Sequence, residues 1–138
     1  MVIGFEIPDN HREIAASYNN IGMTLYASSE YRWSLAYFSM SAEIQVKALG
    51  QSHPDSLNSL DNMGYAFEGM EGYVRALQYF VTTLNERIKS LGEWHPQLIT
   101  CYQNIGRVYA ALGDEENARI CQERIELIRK NYTSGAKE

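Results

Sequence analysis

Residues 53–94, HPDSLNSLDNMGYAFEGMEGYVRALQYFVTTLNERIKSLGEW, lie without a gap over residues 11–52, HREIAASYNNIGMTLYASSEYRWSLAYFSMSAEIQVKALGQS, and over residues 95–136, HPQLITCYQNIGRVYAALGDEENARICQERIELIRKNYTSGA. The frame is set by His11, His53 and His95, which stand 42 residues apart. Asn20, Asn62 and Asn104 form one column, Ile21, Met63 and Ile105 the next, and Gly22, Gly64 and Gly106 the one after. Leu25, Phe67 and Tyr109 follow, then Ser34, Ala76 and Ala118. Self-similarity at a fixed period of this length marks one supersecondary unit repeated along the chain, each copy burying its apolar face on its neighbours.

Within a copy the apolar residues recur at intervals of three and four, as in Tyr18, Ile21, Leu25 and again in Tyr31, Leu35, Phe38, Ala42. That spacing puts them on one face of a helix, and a short polar break between the two runs makes each copy a helical hairpin. The first helices are expected near 12–27, 54–69 and 96–111, and the second near 31–48, 73–90 and 115–131. The breaks fall at 28–30, 70–72 and 112–114, where Gly72 and Gly113 suit the left-handed geometry that ends a helix. Pro54 and Pro96 fit a first helical turn, where a missing N–H is harmless, and they push the residue before them out of helical geometry. Copy boundaries therefore fall at His53 and His95. Glycine inside a helix costs ~1 kcal/mol against alanine, so three in register imply a close helix–helix approach that outweighs propensity.

Composition narrows the function. The 45% hydrophobic and 21% charged fractions belong to a globular chain and exclude disordered and collagen-like classes. No apolar run approaches the ~18 residues that cross a bilayer, and residues 1–10 lack a basic-then-apolar leader, so a soluble, cytoplasmic protein with no membrane partner is expected. The net charge of −5 is concentrated in residues 53–94, at −3, and residues 1–10, at −2. Nucleic acid is not expected as a partner, because a phosphate backbone needs a basic stripe. Cys101 and Cys121 lack a C-x-x-C spacing and read as reduced, packed thiols. The three histidines open different hairpins, ~10 Å apart, too far for one zinc ion, which leaves helix capping and contact between copies as their roles. No phosphate loop, G-x-S-x-G or H-E-x-x-H is present, and Cys101 lies six residues from His95 on another helix face. Neither catalysis nor a cofactor or metal is expected. Trp33 and Trp94 read as packing residues, with an exposed aromatic contact beside His95 the other role open to Trp94.

The Asn-Ile/Met-Gly columns, the aromatic that follows them, the small column of the second helix and then Phe38 and Phe80 resemble the tetratricopeptide repeat. The 42-residue period, with HPD or HPQ opening a copy after KALG or KSLG, is similar to the longer repeats of kinesin light chain. The resemblance covers residues 11 to about 132. It implies an all-α fold, a right-handed superhelix or α-solenoid of three helix-turn-helix hairpins at 11–52, 53–94 and 95–132, between an N-terminal segment of 1–10 and a tail of 133–138. It also implies a concave groove lined by the first helices, where a peptide or partner helix binds. Two columns depart from the pattern, since Phe38 and Phe80 give way to Gln122, and Tyr31 and Tyr73 to Glu115. Polar groups at those places fit a C-terminal cap. The N-terminal segment carries Val2, Ile3, Phe5 and Ile7, expected either to fold over the first hairpin or to meet something larger on that side.

Spacing around the asparagines selects the groove face: Asn19, Asn20, Met23 and Tyr26 in the first copy, Asn58, Asp61, Asn62, Tyr65 and Glu68 in the second, and Gln103, Asn104 and Arg107 in the third. A primary amide both donates and accepts, so one per copy suits an extended peptide backbone. The resembled family uses such a ladder in that way; bonding of each amide to a neighbouring helix is the other role open to it. Asp61 and Glu68, two turns apart, form either a negative patch favouring a basic or neutral ligand or an ordinary solvated face. Arg107 stands alone, so neither a carboxylate clamp nor the acidic cargo of kinesin light chains is expected. The expected function is a non-catalytic protein–protein interaction module. Its alternatives are a self-assembling scaffold, forming a homo-oligomer through the N-terminal segment, and a regulatory appendage of a larger signalling protein or enzyme.

Overall fold

In the computed structural model, residues 9–136 are described and contain six helices and no strand: α1 (His11–Ala27), α2 (Tyr31–Leu49), α3 (Pro54–Gly69), α4 (Tyr73–Leu91), α5 (Leu98–Ala111) and α6 (Glu115–Ala136). The chain divides into two compact units, Met1–Met70 and Glu71–Glu138, with the break in the turn between α3 and α4. In the first unit α2 packs on both α1 and α3; in the second α5 packs on both α4 and α6. The apolar segment with Val2, Ile3, Phe5 and Ile7, and the expectation attached to it, lie outside the described residues.

The glycine column has a visible cause in the first unit. A Cβ built on Gly22 would sit 2.6 Å from two ring carbons of the buried Phe38, so α1 meets the α2 ring edge with no room for a methyl. A chain of buried polar groups then locks α1, α2 and α3 together. The Ser41 hydroxyl donates to the Ala15 carbonyl at 2.9 Å, the Ser59 hydroxyl donates to Gln45 Oε1, and Asn19 Nδ2 donates to Ser59 Oγ at 3.2 Å. The three donors each reach an acceptor on a neighbouring helix, which fixes the register of three helices, although Asn19 Oδ1 is left without a hydrogen-bond partner among the described residues.

Helix ends follow the repeat with instructive differences. The left-handed column in the turns is Ser29, Glu71 and Gly113, with φ of 61°, 61° and 80°. Gly72, expected in that geometry, instead has φ −83° as the N-cap of α4. Gly50 and Gly92, both at φ 89°, close α2 and α4. The third copy has Ser134 in that column, and α6 runs on to Ala136, through most of the expected tail. Helix α5 begins later than expected because its first turn closes three residues back, Leu98 N to His95 O at 3.0 Å, where α3 bonds Leu57 N to His53 O four back.

Candidate interaction surface

In the first unit the expected face of α1 is open. Asn20 and Tyr26 are exposed and Met23 is 58% exposed, on a helix that buries Ala15 and Gly22. The Tyr26 ring stands edge-on to Tyr31 at 5.2 Å between centroids, which holds its orientation. Tyr31 in turn packs on α3, where a Cβ at Gly69 would lie 2.5 Å from the ring. On α3, Asn58 is exposed, and Asp61, Asn62, Tyr65 and Glu68 are half-buried. Asp61 and Glu68 make interactions of their own, so the acidic pair is engaged with the protein as well as facing outward. The structure joins Asn19 to this group through Ser59 of α3, so its amide nitrogen serves helix contact, while its Oδ1 is buried with no hydrogen-bond partner among the described residues.

In the second unit Gln103 and Arg107 are exposed on α5, but Asn104 is only 3% exposed. Its Oδ1 accepts a bond from Arg107 Nη2 at 3.1 Å. The asparagine column is therefore graded from exposed Asn20 through half-buried Asn62 to buried Asn104. The neighbouring column shows why: Ile21 is 43% exposed, whereas Met63 is 8% and Ile105 4% exposed, because α2 packs on α3 and α4 on α5. Asn104 is thus placed to steady Arg107 rather than to meet a ligand directly.

Between α5 and α6 a cleft of about 400 Å³ is lined by Tyr102, Gln103, Gly106 and Arg107 on one side and Ala118, Cys121, Gln122 and Ile125 on the other. The α6 members escaped the sequence reading as site residues, although the replacement of the Phe38 and Phe80 column by Gln122 pointed there. Gln122 is exposed, as is Glu115. Burial pushes the Cys121 thiol up, which keeps it neutral and unreactive. Cys101 and Cys121 are free and buried.

Of the three histidines only His53 is a side-chain N-cap, of α3; His95 makes the same bond in the turn before α5, and His11 is the first residue of α1, whose N-cap Asn10 makes no side-chain bond. His53 Nδ1 accepts from the Asp55 N–H and His95 Nδ1 from the Gln97 N–H, both at 3.1 Å. Asp114 does the same for α6, accepting from the Asn117 backbone at 3.1 Å and side chain at 2.7 Å. The side-chain bond first, and the backbone bond next, hold its carboxyl below the ordinary value. Among the described residues no three His, Cys, Asp or Glu side chains gather as a metal site, and no helix is long and apolar enough to cross a membrane. Trp94 packs under Arg124, whose guanidinium carbon lies 4.5 Å from the ring centroid. Trp33, expected to pack, is 62% exposed on α2.

The tetratricopeptide repeat profile matches residues 13–85. No curated protein matches the chain. Among solved structures, BtubC (BKLC) from P. vanneervenii is similar at a TM-score of 0.78 and 24% identity, over 86% of this chain and 48% of that one. A kinesin light chain from Podosopora anserina with nearly identical TPR-like repeats has a TM-score of 0.75 and 20% identity, over 86% of this chain and 56% of that one. This chain thus spans about half the length of both. The TPR domain of Arabidopsis FLU reaches a TM-score of 0.75 at 17% identity, over 88% of this chain and 98% of that domain. At these identities the likeness shows the fold alone, six helices in the order of a tetratricopeptide solenoid.

Proposed function

The chain belongs to the tetratricopeptide repeat family, whose repeats are in general protein–protein interaction modules, and from that premise we propose that it is a non-catalytic module binding a peptide or partner segment. The binding faces are those of α1 and α3 in the first unit, with Asn20, Met23, Tyr26, Asn58, Asn62 and Tyr65, and of α5 in the second, with Gln103 and Arg107. One observation carries the reading: Met23, at 58% exposure, lies one turn from exposed Asn20 and Tyr26 on α1, an apolar anchor between an amide and a phenol. Such a mixture suits an extended segment, whose backbone the amide satisfies while its side chains cover the thioether. Asp61 and Glu68 bias the first unit towards a basic or neutral segment. A cytoplasmic setting belongs to the same proposal, since the two buried thiols stay reduced there.

The test is a peptide-display selection on the full chain, counter-screened against the variant Asn20→Ala, Met23→Ala. Both residues are exposed, so the variant keeps its helicity. Enrichment on the parent, lost on the variant, supports the reading; equal enrichment on both contradicts it. A second reading, self-association, is favoured by Ile21, 43% exposed in a column that is 8% exposed at Met63 and 4% at Ile105. Light scattering over a wide concentration range decides it: a mass that doubles for the parent and stays single for Ile21→Glu supports self-association, and a constant monomer mass contradicts it.

A further inference from the structure

The apolar surface of the first hairpin extends beyond Ile21 onto the second helix. On α1, Ile14 and Ile21 flank Tyr18 at spacings of four and three, and on α2, Trp33 and Met40 flank Tyr37 in the same way. The Tyr18 and Tyr37 rings lie 6.1 Å apart between centroids, so the two triplets join into one surface across both helices. Ile21, Trp33 and Met40 are 43%, 62% and 36% exposed, while Ile14, Tyr18 and Tyr37 are half-buried. The first copy alone is built this way. Where it carries Trp33 the later copies carry Arg75 and Asn117, and where it carries Met40 they carry Thr82 and Arg124. The columns of Ile14 and Ile21 are buried in both later copies, at Ser56 and Met63 and at Leu98 and Ile105. Apolar side chains thus stand open in the first hairpin at places where its repeats are either covered or polar.

We propose that this two-helix surface docks a second copy of the chain, face to face about a two-fold axis. The inference rests on the self-association reading above and gives it a surface, a symmetry and a stopping point. A two-fold axis sets a surface against itself, so any charge near the axis meets its like. None of these six residues is charged, and their rings can stack offset or edge-on with their own kind. Head-to-tail association is opposed by α6. Helix α2 meets α3 where Ser59 donates to Gln45, and α4 meets α5 where Arg87 donates to Cys101 Sγ at 3.4 Å. Beside those bonds stand Ala42 and Val46 in α2, and Leu84 and Ile88 in α4. On α6 the same three columns hold Glu126, Arg129 and Lys130, all exposed, which would be desolvated against an apolar face. Association therefore closes at two chains instead of growing into a filament. The six side chains bury roughly 1,000 Å² in total across a pair, the low end for a specific interface, which suits a dissociation constant on the order of 10 µM. Met23 lies about 200° round α1 from Ile21, so the peptide-binding face stays open in the dimer.

The experiment is sedimentation velocity on the full chain from about 1 to about 500 µM, beside the variant Trp33→Arg, Met40→Thr, which gives α2 the residues that the second copy holds at those places. The parent is expected to pass from one chain to two and no further, and the variant to need at least about tenfold more protein to do so. Both changed residues are exposed, and equal melting of parent and variant in dilute solution establishes that the variant folds; should it melt lower, Trp33→Gln takes its place. In a Trp94→Phe background Trp33 is the remaining tryptophan, and its emission is expected to move to shorter wavelength as the dimer forms. Lys130→Glu, on α6, is expected to leave the dimer unchanged. Dimers that survive Trp33→Arg, Met40→Thr but are lost on Ile21→Glu overturn the two-helix surface and leave self-association standing. A mass that grows past two chains, or dimers lost on Lys130→Glu, overturn the two-fold symmetry. A constant monomer mass sinks the surface and the self-association reading together, and a monomer that pairs only after residues 1–8 are removed overturns the proposal by assigning the surface to that segment.

Discussion

Alanine at Gly22 is predicted to destabilise the chain, and alanine at Gly106, the same column, to leave it unchanged or firmer. Carbon atoms in contact settle about 3.5–4.0 Å apart. A methyl on Gly22 would sit 2.6 Å from two carbons of the Phe38 ring and 3.3 Å from a third, about 1 Å too near. The ring is buried between helices and has nowhere to retreat. Overpacking of this kind costs about 1–3 kcal/mol, while exchanging glycine for alanine inside a helix returns about 1 kcal/mol. The net loss at Gly22 is then about 1 kcal/mol, up to about 2. At Gly106 the nearest atom is the Cys121 Cβ at 3.2 Å, which needs to yield only a few tenths of an ångström into the open cleft. Helix propensity then dominates, for a gain of about 0–1 kcal/mol. The assay is thermal unfolding followed by circular dichroism at 222 nm. At about 3–4 °C per kcal/mol for a chain of this length, Gly22→Ala should melt about 3–8 °C below the parent and Gly106→Ala at or up to about 4 °C above it. Equal losses at the two positions, or a stabilised Gly22→Ala, would refute the claim that an aromatic ring closes one glycine and leaves the other open.

Three other outcomes follow from the helix ends. Ser29 and Glu71 hold left-handed backbone that Gly113 takes in the third turn; Ser29→Gly and Glu71→Gly should each raise stability by about 0.5–1 kcal/mol in chemical denaturation, the relief of left-handed strain less the entropy of an unfolded glycine. His53→Ala removes the side-chain cap of α3 and should cost about 1 kcal/mol, with asparagine restoring most of it in the same assay, whereas His95→Ala, which loses a bond in the turn before α5, should cost less. The Asp114 carboxyl titrates lower when folded than when unfolded, so its contribution is complete above its unfolded value and disappears as pH falls through its folded value. Melting temperatures taken from about pH 5 to about pH 2 should fall more steeply for the parent than for Asp114→Asn, and parallel curves would count against the cap.

Much of the fold was legible because the repeat repeats its punctuation. His-Pro opens a copy and the Asn-Ile/Met-Gly run fixes the helix face, so five of the six helix starts follow from columns alone. The left-handed turn position was not legible: two of its three residues are Ser29 and Glu71, which carry no glycine to mark it, and Gly72 next door drew attention to the wrong place. The extension of α6 could have been read from Ser134, which stands where Gly50 and Gly92 stop the other second helices. The candidate surface was half legible. Spacing found the face, but three identical asparagines gave no hint of graded burial, which depends on whether a described helix packs in front of each. Trp33 shows the same limit in reverse, since an aromatic at helical spacing looks like core until its neighbours are known.

The most direct measurement is nuclear magnetic resonance shift mapping on the full isotopically labelled chain, titrated with a display-selected peptide. The account predicts that the largest shifts fall on Asn20, Met23 and Asn58 in the first unit and on Gln103 and Arg107 in the second. Shifts concentrated instead around Trp33 and Met40 on α2, with the first helices unmoved, would contradict it.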